Sequence, residues 1–343
     1  PIMLQKAIDL IIDKLHSIIT SSLALGHVPR TWRESKIIFI PKPGKDRYDR
    51  AKSFRPISLT SFMLKTMERM IDRELRDTTL TESPIHPFQH AYQTGKSTET
   101  ALHQLVSNIE NATENKEYAL GTFFDISGAF DNAPTMTIIN ALNDRKAPKQ
   151  TTKWIENLLM NRQITTTSGN TTIKRKATKG CPQGGVLSPL LWCLVVDELL
   201  YKLNKMRIYT QAYSDDGTIL ITGKDLNEVC SRTQLGLSTA QYWCQSKGLT
   251  IHPEKTEIVL FTKKRKTNGW FPPKLSNLTL KPKTKVKYLG LTLDNKLSFS
   301  DHIQEKCEKT LRAYFQIKRA IANNWGLSPK ITKWIYTTVI RPM

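Results

Sequence analysis

The stretch Ile208-Tyr-Thr-Gln-Ala-Tyr213-Ser214-Asp215-Asp216-Gly217-Thr218-Ile-Leu-Ile221 decides the fold. Two β-branched, aromatic runs flank a centre that contains Asp-Gly, a strong short-range hairpin signal. The pattern predicts strands over Ile208–Tyr213 and Thr218–Ile221 with two carboxylates at the tip between them. A third run, Tyr118–Phe124, is apolar and aromatic and leads straight into Asp125. Adjacent carboxylates repel each other, and a carboxylate at the end of an apolar strand loses hydration. Divalent cations remove both costs. Mg²⁺ prefers one or two carboxylates together with substrate phosphates. Two such ions about 3.5–4 Å apart clamp the attacking and leaving oxygens of an in-line phosphoryl displacement. The plainer reading makes Asp-Asp-Gly only a turn and Asp125 only a helix cap.

Outward from these strands, apolar spacing predicts helices over Thr137–Leu142, Leu187–Lys205 and Leu226–Gln245. Their alternation with the strands predicts an α+β layering with helices on one face of a sheet. Upstream, Met3, Leu4, Ala7, Ile8, Ile11, Ile12, Leu15, Ile18 and Ile19 have helical spacing, ended by Gly26 and Pro29. Ile37–Ile40 is a short β-rich run closed by Pro41, and Lys42 to Arg55 reads as a basic loop. Helices are expected over Ser61–Asp77 and Thr98–Ile109, with Met63, Met67 and Met70 on a core face. Val286–Leu293 reads as a late strand. From Phe299 the pattern is helical again, broken by Gly326 and Pro329.

The 343 residues carry a formal net charge of +21. An excess of that size points to a polyanionic partner, most simply nucleic acid. A solvated basic surface or an anionic membrane surface is the alternative. Two windows lack any acid: Asn157–Val196, and Ile258–Leu293, where basic residues interleave with Phe261, Trp270, Phe271 and Tyr288. That mixture suits a groove that tracks a backbone and stacks bases. The longest apolar run, Leu190–Val196, is far short of the ~20 residues of a spanning helix. Lys6, Asp9, Asp13 and Lys14 interrupt any secretory core. Cys181, Cys193, Cys230, Cys244 and Cys307 form no C-x-x-C pair, so a reducing, intracellular setting is expected. The chain begins at Pro1 and reads as a piece of a longer polypeptide.

Five motifs occur in order: Asp125-Ile-Ser-Gly-Ala-Phe-Asp131, Gly180-Cys-Pro-Gln-Gly-Gly-Val-Leu-Ser-Pro189, Tyr213-Ser-Asp-Asp216, Gly248-Leu-Thr-Ile-His-Pro-Glu-Lys255 and Tyr288-Leu-Gly290. This set resembles the reverse transcriptases of non-LTR (LINE-type) retrotransposons of the Jockey/I kind. Trp32, Ile40-Pro-Lys-Pro-Gly-Lys45, Arg55-Pro-Ile-Ser-Leu59, and Lys65 with Glu68 are similar to that family's N-terminal fingers motifs. The resemblance covers nearly the whole chain. It implies an α+β right-hand polymerase: fingers over 1–112 with a returning segment near 135–178, a palm over 113–293, and over 294–343 a helical thumb and the start of a truncated C-terminal region.

By the same resemblance, Asp125 and Asp215 are the main ligands of two Mg²⁺ ions, with Mn²⁺ as a possible substitute. Asp216 supports them, and the Ile126 carbonyl completes one shell. Phe130 matches the steric gate that excludes a ribose 2′-OH. Arg55 matches the triphosphate grip, with Lys42 or Lys45 as its partner. Gln183 and Gly184 match the loop beneath the incoming dNTP. Lys255 matches a lysine able to protonate the leaving pyrophosphate. Tyr288, Leu289 and Gly290 match the primer-grip hairpin. The implied partners are an RNA template, a DNA primer and their duplex, with no membrane. An upstream endonuclease is expected in the full polypeptide, with residence in nucleus and cytoplasm. A decayed copy that binds RNA without polymerising is the competing reading, and an RNA-directed RNA polymerase a weaker third.

Some features depart from the family or stand aside. Ser214 and His252 replace the usual Ala and Asn, and Tyr92-Gln-Thr-Gly95 lacks an arginine many relatives carry. Gly95-Lys96-Ser97-Thr98 looks like the end of a phosphate-binding loop, but His90 stands where its first glycine belongs. His86 and His90 flank Pro87 with no cysteine near, which argues against zinc.

Overall fold

The computed structural model describes residues 6–264, 267, 269–319 and 326–343. Met3 and Leu4, the first apolar positions expected of the N-terminal helix, lie outside them. Helix α1 spans Ile8–Leu25, β1 Glu34–Pro41, β2 Phe54–Leu59, α2 Phe62–Asp77 and α3 Thr98–Glu114. Strand β3 (Tyr118–Asp125) leads to α4 (Thr135–Asp144), α5 (Lys149–Met160), β4 (Gln163–Ser168), β5 (Thr171–Lys176) and α6 (Ser188–Lys205). Then come β6 (Tyr209–Tyr213), β7 (Asp216–Gly223), α7 (Leu226–Ser246), β8 (Glu257–Phe261), β9 (Pro282–Lys283), β10 (Lys285–Tyr288) and β11 (Leu291–Asp294). Helices α8 (Ser300–Lys318) and α9 (Pro329–Ile335) follow.

The main sheet has the order β9-β8-β3-β7-β6. β3 pairs antiparallel with β7 from Tyr118↔Gly223 to Asp125↔Asp216. It also pairs antiparallel with β8 from Ala119↔Phe261 to Phe123↔Glu257. Only the short β9 runs parallel to its neighbour. Strand side chains alternate between faces, and the two cores divide accordingly. Leu120, Phe124, Ile219, Ile221, Ile258 and Leu260 join the larger core with α6 and α7. Ala119, Phe123, Leu220, Val259 and Phe261 join a smaller one with Leu105 and Ile109 of α3 and with Val286 and Tyr288 of β10. So the sheet is covered on both faces, not one. A continuous apolar run such as β3 requires this, because alternation is what a half-solvated strand shows.

The second sheet has the order β2-β1-β4-β5. β1 pairs antiparallel with β2 and parallel with β4, which joins the N-terminal region to the segment after α5. β2 replaces the last part of the expected Lys42–Arg55 loop, after a helical turn at Ala51–Ser53. Pro56 hides β2 in the sequence, yet an edge strand tolerates a residue without an N–H.

Two further expectations are corrected. Val286–Leu293 is not one strand but the hairpin β10–β11, reversed at Leu289 (φ 46°) and Gly290 (φ 86°). The turn between β6 and β7 is Ser214-Asp215, because Tyr213 pairs with Asp216. Gly217 therefore lies in β7 and makes no turn. A Cβ there would sit 2.4 Å from the Phe124 ring, so the glycine leaves room for that ring.

Helix α2 starts where Ser61 Oγ accepts the Leu64 N–H at 3.1 Å, an N-cap. Its buried stripe is Leu64, Met67, Glu68, Ile71 and Leu75. Met63 packs against this core, but Met70 is half exposed and belongs to the outer face. Trp154, Leu158 and Leu159 of α5 are buried. Among the described residues no helix is long and apolar enough to cross a membrane.

Candidate active site

The site forms where β3, the β6–β7 turn and the segment before β8 end together. The Asp125↔Asp216 register puts the end of β3 beside the start of β7, and the Ile126 N–H donates to the Asp215 carbonyl at 3.3 Å. The segment Gly248–Lys255 is zipped alongside. Ser127 N–H donates to Thr250 O at 2.8 Å, and His252 N–H to Asp125 O at 3.4 Å. This delivers Lys255, in the helical turn Pro253–Lys255, to the strand end. Its Nζ donates to Asp125 Oδ2 at 2.6 Å.

The Phe130 turn is stitched to the Gly180–Gly185 loop. Gly180 N–H donates to Ala133 O at 2.8 Å and Cys181 N–H to Phe130 O at 2.6 Å. A Cβ on Gly180 would meet the Phe130 and Asp131 carbonyls at 2.5 Å, so only glycine permits this approach. Gln183 Nε2 donates to Asp131 Oδ2 at 2.8 Å. On the other side, Ser58 N–H of β2 donates to Gln183 O at 2.7 Å. That bond ties the loop to the second sheet.

A cleft of ≈ 900 Å³ opens between these parts. Asp125, Asp215, Phe130, Lys255, Gln183 and Gly184 line it, and Lys42, Lys45, Lys52 and Arg55 supply its cationic groups. Nine of the expected residues thus share one cleft. Both Lys42 and Lys45 reach it, so their alternatives stay together. Ile126, which is buried, and Asp216, which is exposed and pairs with Asp125 across the β3–β7 ladder, are not among the residues that line it. The primer-grip candidates sit apart. Tyr288 is buried against Phe123, with ring centroids 5.3 Å apart, and its hydroxyl accepts from Gln211 Nε2 at 3.3 Å. Only Leu289 and Gly290 reach the hairpin tip.

Electrostatics concentrate at the aspartates. Burial, and then the charge of Asp125, pushes the Asp215 carboxyl above the usual carboxylate range. Burial, then Asp215 and Asp125, pushes Asp216 up to about 6. These are the costs a cation relieves. Hard carboxylate oxygens are also the donors that Mg²⁺-type ions prefer. The donor set therefore fits a divalent ion in kind. It is not a finished cage: among the described residues no three His, Cys, Asp or Glu side chains are gathered for a metal. The Lys255 ammonium stands beside Asp125 as the local positive charge.

Sequence reasoning assigned no role to three side chains that build the loop. Asp131 holds Gln183. Arg162 is buried and donates to Lys179 O at 2.9 Å and Gly180 O at 2.5 Å. The Glu68 carboxylate accepts the Val186 N–H at 3.1 Å, and burial pushes it up to about 7. One signal was available: Glu68 falls on the apolar stripe of α2. Lys96 Nζ turns inward to the carbonyls of Pro87 and Gln89, unlike a phosphate-binding lysine. His86 is buried with its ring lowered to about 4 by that burial and by Lys96.

A family model described as reverse transcriptase (RNA-dependent DNA polymerase) matches residues 40–293. A probable RNA-directed DNA polymerase from transposon BS of Drosophila melanogaster is 28% identical over 328 residues, covering 94% of this chain and 36% of the relative. The RNA-directed DNA polymerase from the mobile element jockey of the same organism is 29% identical over 342 residues, covering 97% and 37%. The chain thus spans little more than a third of these curated relatives. Apo telomerase from Candida tropicalis, truncated from its C-terminal domain, superposes with a TM-score of 0.53 at 13% identity, over 84% of this chain and 59% of that one. Telomerase from the same organism with a fragment of telomeric RNA gives 0.54 at 13% identity, over 84% and 49%. At such identities the likeness is one of fold, and that fold is the right-hand polymerase. With the match running through every motif that builds the cleft, the chain belongs to the reverse transcriptase family, beside the polymerases of jockey-like non-LTR retrotransposons.

Proposed function

We propose that this chain is the polymerase portion of a non-LTR retrotransposon protein and transfers dNMP from a dNTP to a primer 3′-OH, directed by RNA. The observation that carries the reading is the single cleft shared by Asp125, Asp215, Phe130, Gln183, Lys255 and the cationic group around Arg55. Each has a task in that reaction. Arg55 forks onto triphosphate oxygens, with Lys42 and Lys45 as point charges beside it. Phe130 fills the space of a 2′-OH, and Gln183 and Gly184 form the surface under the nucleotide. Asp125, Asp215, the Ile126 carbonyl and the supporting Asp216 would hold two Mg²⁺ ions, which would supply activation of the 3′-OH and charge neutralisation at the leaving group. Lys255 Nζ, now paired with Asp125, donates a proton to the departing pyrophosphate. Tyr288 anchors the β10–β11 hairpin, so that Leu289 and Gly290 meet the primer end.

The proposed division is fingers over 1–112 with the β4–β5 return within 135–178, palm over 113–293 and thumb from 294. The RNA–DNA duplex lies along the basic surfaces. An endonuclease upstream in the full polypeptide and work in nucleus and cytoplasm complete the reading. Primer extension on an RNA template with dNTPs and Mg²⁺ tests it, beside Asp215→Asn. Extension by the wild type alone is expected. Extension by neither, with duplex binding intact in both, overturns it in favour of a non-polymerising binding protein. Efficient use of NTPs by the wild type overturns the role of Phe130.

A further inference from the structure

The turn that carries Asp215 is gripped from two sides by buried side chains outside the cleft. Ser214 is buried and is not glycine, yet its φ is 60°. L residues adopt that conformation only at a cost, so the surroundings must hold it. On one side, Trp192 Nε1–H donates to the Ser214 carbonyl at 2.9 Å in a fully buried bond. On the other, Gln89 Oε1 accepts from Ser214 N–H at 3.4 Å and from Ala91 N–H at 3.1 Å. The segment that carries Gln89 is itself fixed to β6: His90 N–H donates to Ala212 O, and Ala212 N–H to Phe88 O, each at 2.9 Å. Both backbone groups of Ser214 are therefore occupied, and Asp215 follows directly.

Trp192 also faces the nucleotide side. Its ring centroid lies 6.1 Å from that of Phe130, tilted by 42°. A leucine or phenylalanine could fill this position on α6. The indole both fills it and donates a hydrogen bond, and buried Trp N–H groups are placed where a partner exists.

The geometry points to Trp192 as a positioning residue that ties the Asp215 turn to Phe130, so one side chain sets both metal binding and sugar selection. This rests on the function proposed above. The indole N–H acts on the turn and the indole ring acts on Phe130, so the two effects can be separated. Trp192→Phe keeps an aromatic ring and removes the donor. It raises the half-saturating Mg²⁺ concentration for primer extension about tenfold, the scale of interactions that orient metal ligands. It leaves the preference for dNTP over NTP in place. Trp192→Leu removes ring and donor together, and also lowers that preference roughly tenfold. A merely structural role moves neither the metal requirement nor the sugar preference selectively.

A second readout needs no turnover: Mn²⁺ binding to the free protein, followed by electron paramagnetic resonance of the unbound ion. Trp192→Phe weakens it about tenfold. Gln89→Met is the second variant and carries the test if Trp192→Phe does not fold. It weakens Mn²⁺ binding by a smaller factor and leaves sugar preference unchanged. A wild type that extends primers and binds Mn²⁺, beside folded variants that match it in both, overturns this inference alone. A wild type that does neither overturns the proposed function and this inference with it.

Discussion

Helices α6 and α8 have nearly the same length and are attached by opposite means. Of the 18 residues of α6, twelve are buried; of the 19 of α8, none is. α6 sits under the main sheet, with Trp192 touching both the Asp215 turn and Phe130. α8 hangs on the β10–β11 hairpin by charge. Lys285 pairs with Asp301 at 2.9 Å and Lys287 with Glu305 at 2.6 Å, all four side chains near or beyond half exposed. Packing is dense and tolerates little displacement, whereas exposed ion pairs are weak and exchangeable. The groups proposed to react thus stand on the packed part. The surface proposed to meet nucleic acid stands on the part whose cations are able to leave a carboxylate for a phosphate.

The contrast predicts large effects at the packed end. Asp125→Asn removes a proposed metal ligand and the partner of Lys255. Extension should fall roughly a thousandfold or more, as expected for several kcal/mol of lost transition-state stabilisation. Thermal unfolding should change little. A large fall in melting temperature instead would make Asp125 a structural residue and remove it from the site.

Glu68 comes next. Its carboxyl is held protonated up to about 7 against a usual value of 4.5. Between these values the folded chain keeps a proton that the unfolded chain has lost. The contribution of Glu68 to stability is therefore fully present below pH 4.5 and is lost as pH rises through 7. The cost of ionising it in place reaches about 3 kcal/mol at 1.36 kcal/mol per unit. Glu68→Gln still accepts the Val186 N–H and carries no charge. It should raise the melting temperature at pH 8 and flatten the profile between pH 5 and 8. A wild type with a flat profile over that range sinks the assignment.

Gly217→Ala probes the packing beneath the turn. Its Cβ would meet the Phe124 ring at 2.4 Å, within a strand paired on both sides. Overpacking of this kind costs about 1–3 kcal/mol, so the melting temperature should fall by several degrees. An unchanged melting temperature would show that the ring has room to move.

The same contrast explains what was legible in the sequence. The gathering of Asp125 and Asp215 in one cleft was, because apolar runs that lead into an aspartate are local patterns with a local chemical cost. Partners far along the chain were not. Glu68 meets Val186, Trp192 meets Ser214, and Gln89 meets the same turn, each across a separation no periodicity spans. β2 was hidden by Pro56, which excludes a central strand but not an edge one. The second strand of the hairpin starts at Asp216, two residues before the expected Thr218, because Asp-Gly has two uses. Here Gly217 answers Phe124, and Ser214 takes the strained conformation in its place.

The smallest expected effect lies at the exposed end. Raising salt to about 0.5 M shortens the screening length to a few ångströms, which weakens pairs as exposed as Lys285–Asp301 and Lys287–Glu305. Backbone hydrogen exchange should quicken in α8 with salt while α6 stays protected. Lys287→Ala should produce part of that change at low salt, since it also frees Glu305 from the hydrogen bond and charge of Lys287 that hold its carboxyl below the usual range. Binding of an RNA–DNA duplex should weaken with salt over the same interval, because the same lysines then lose both kinds of partner. Exchange in α8 that ignores salt while duplex binding responds would separate the two. The helix would then be held by the Leu297 and Phe299 contacts to the smaller core, and the lysines would serve the nucleic acid alone.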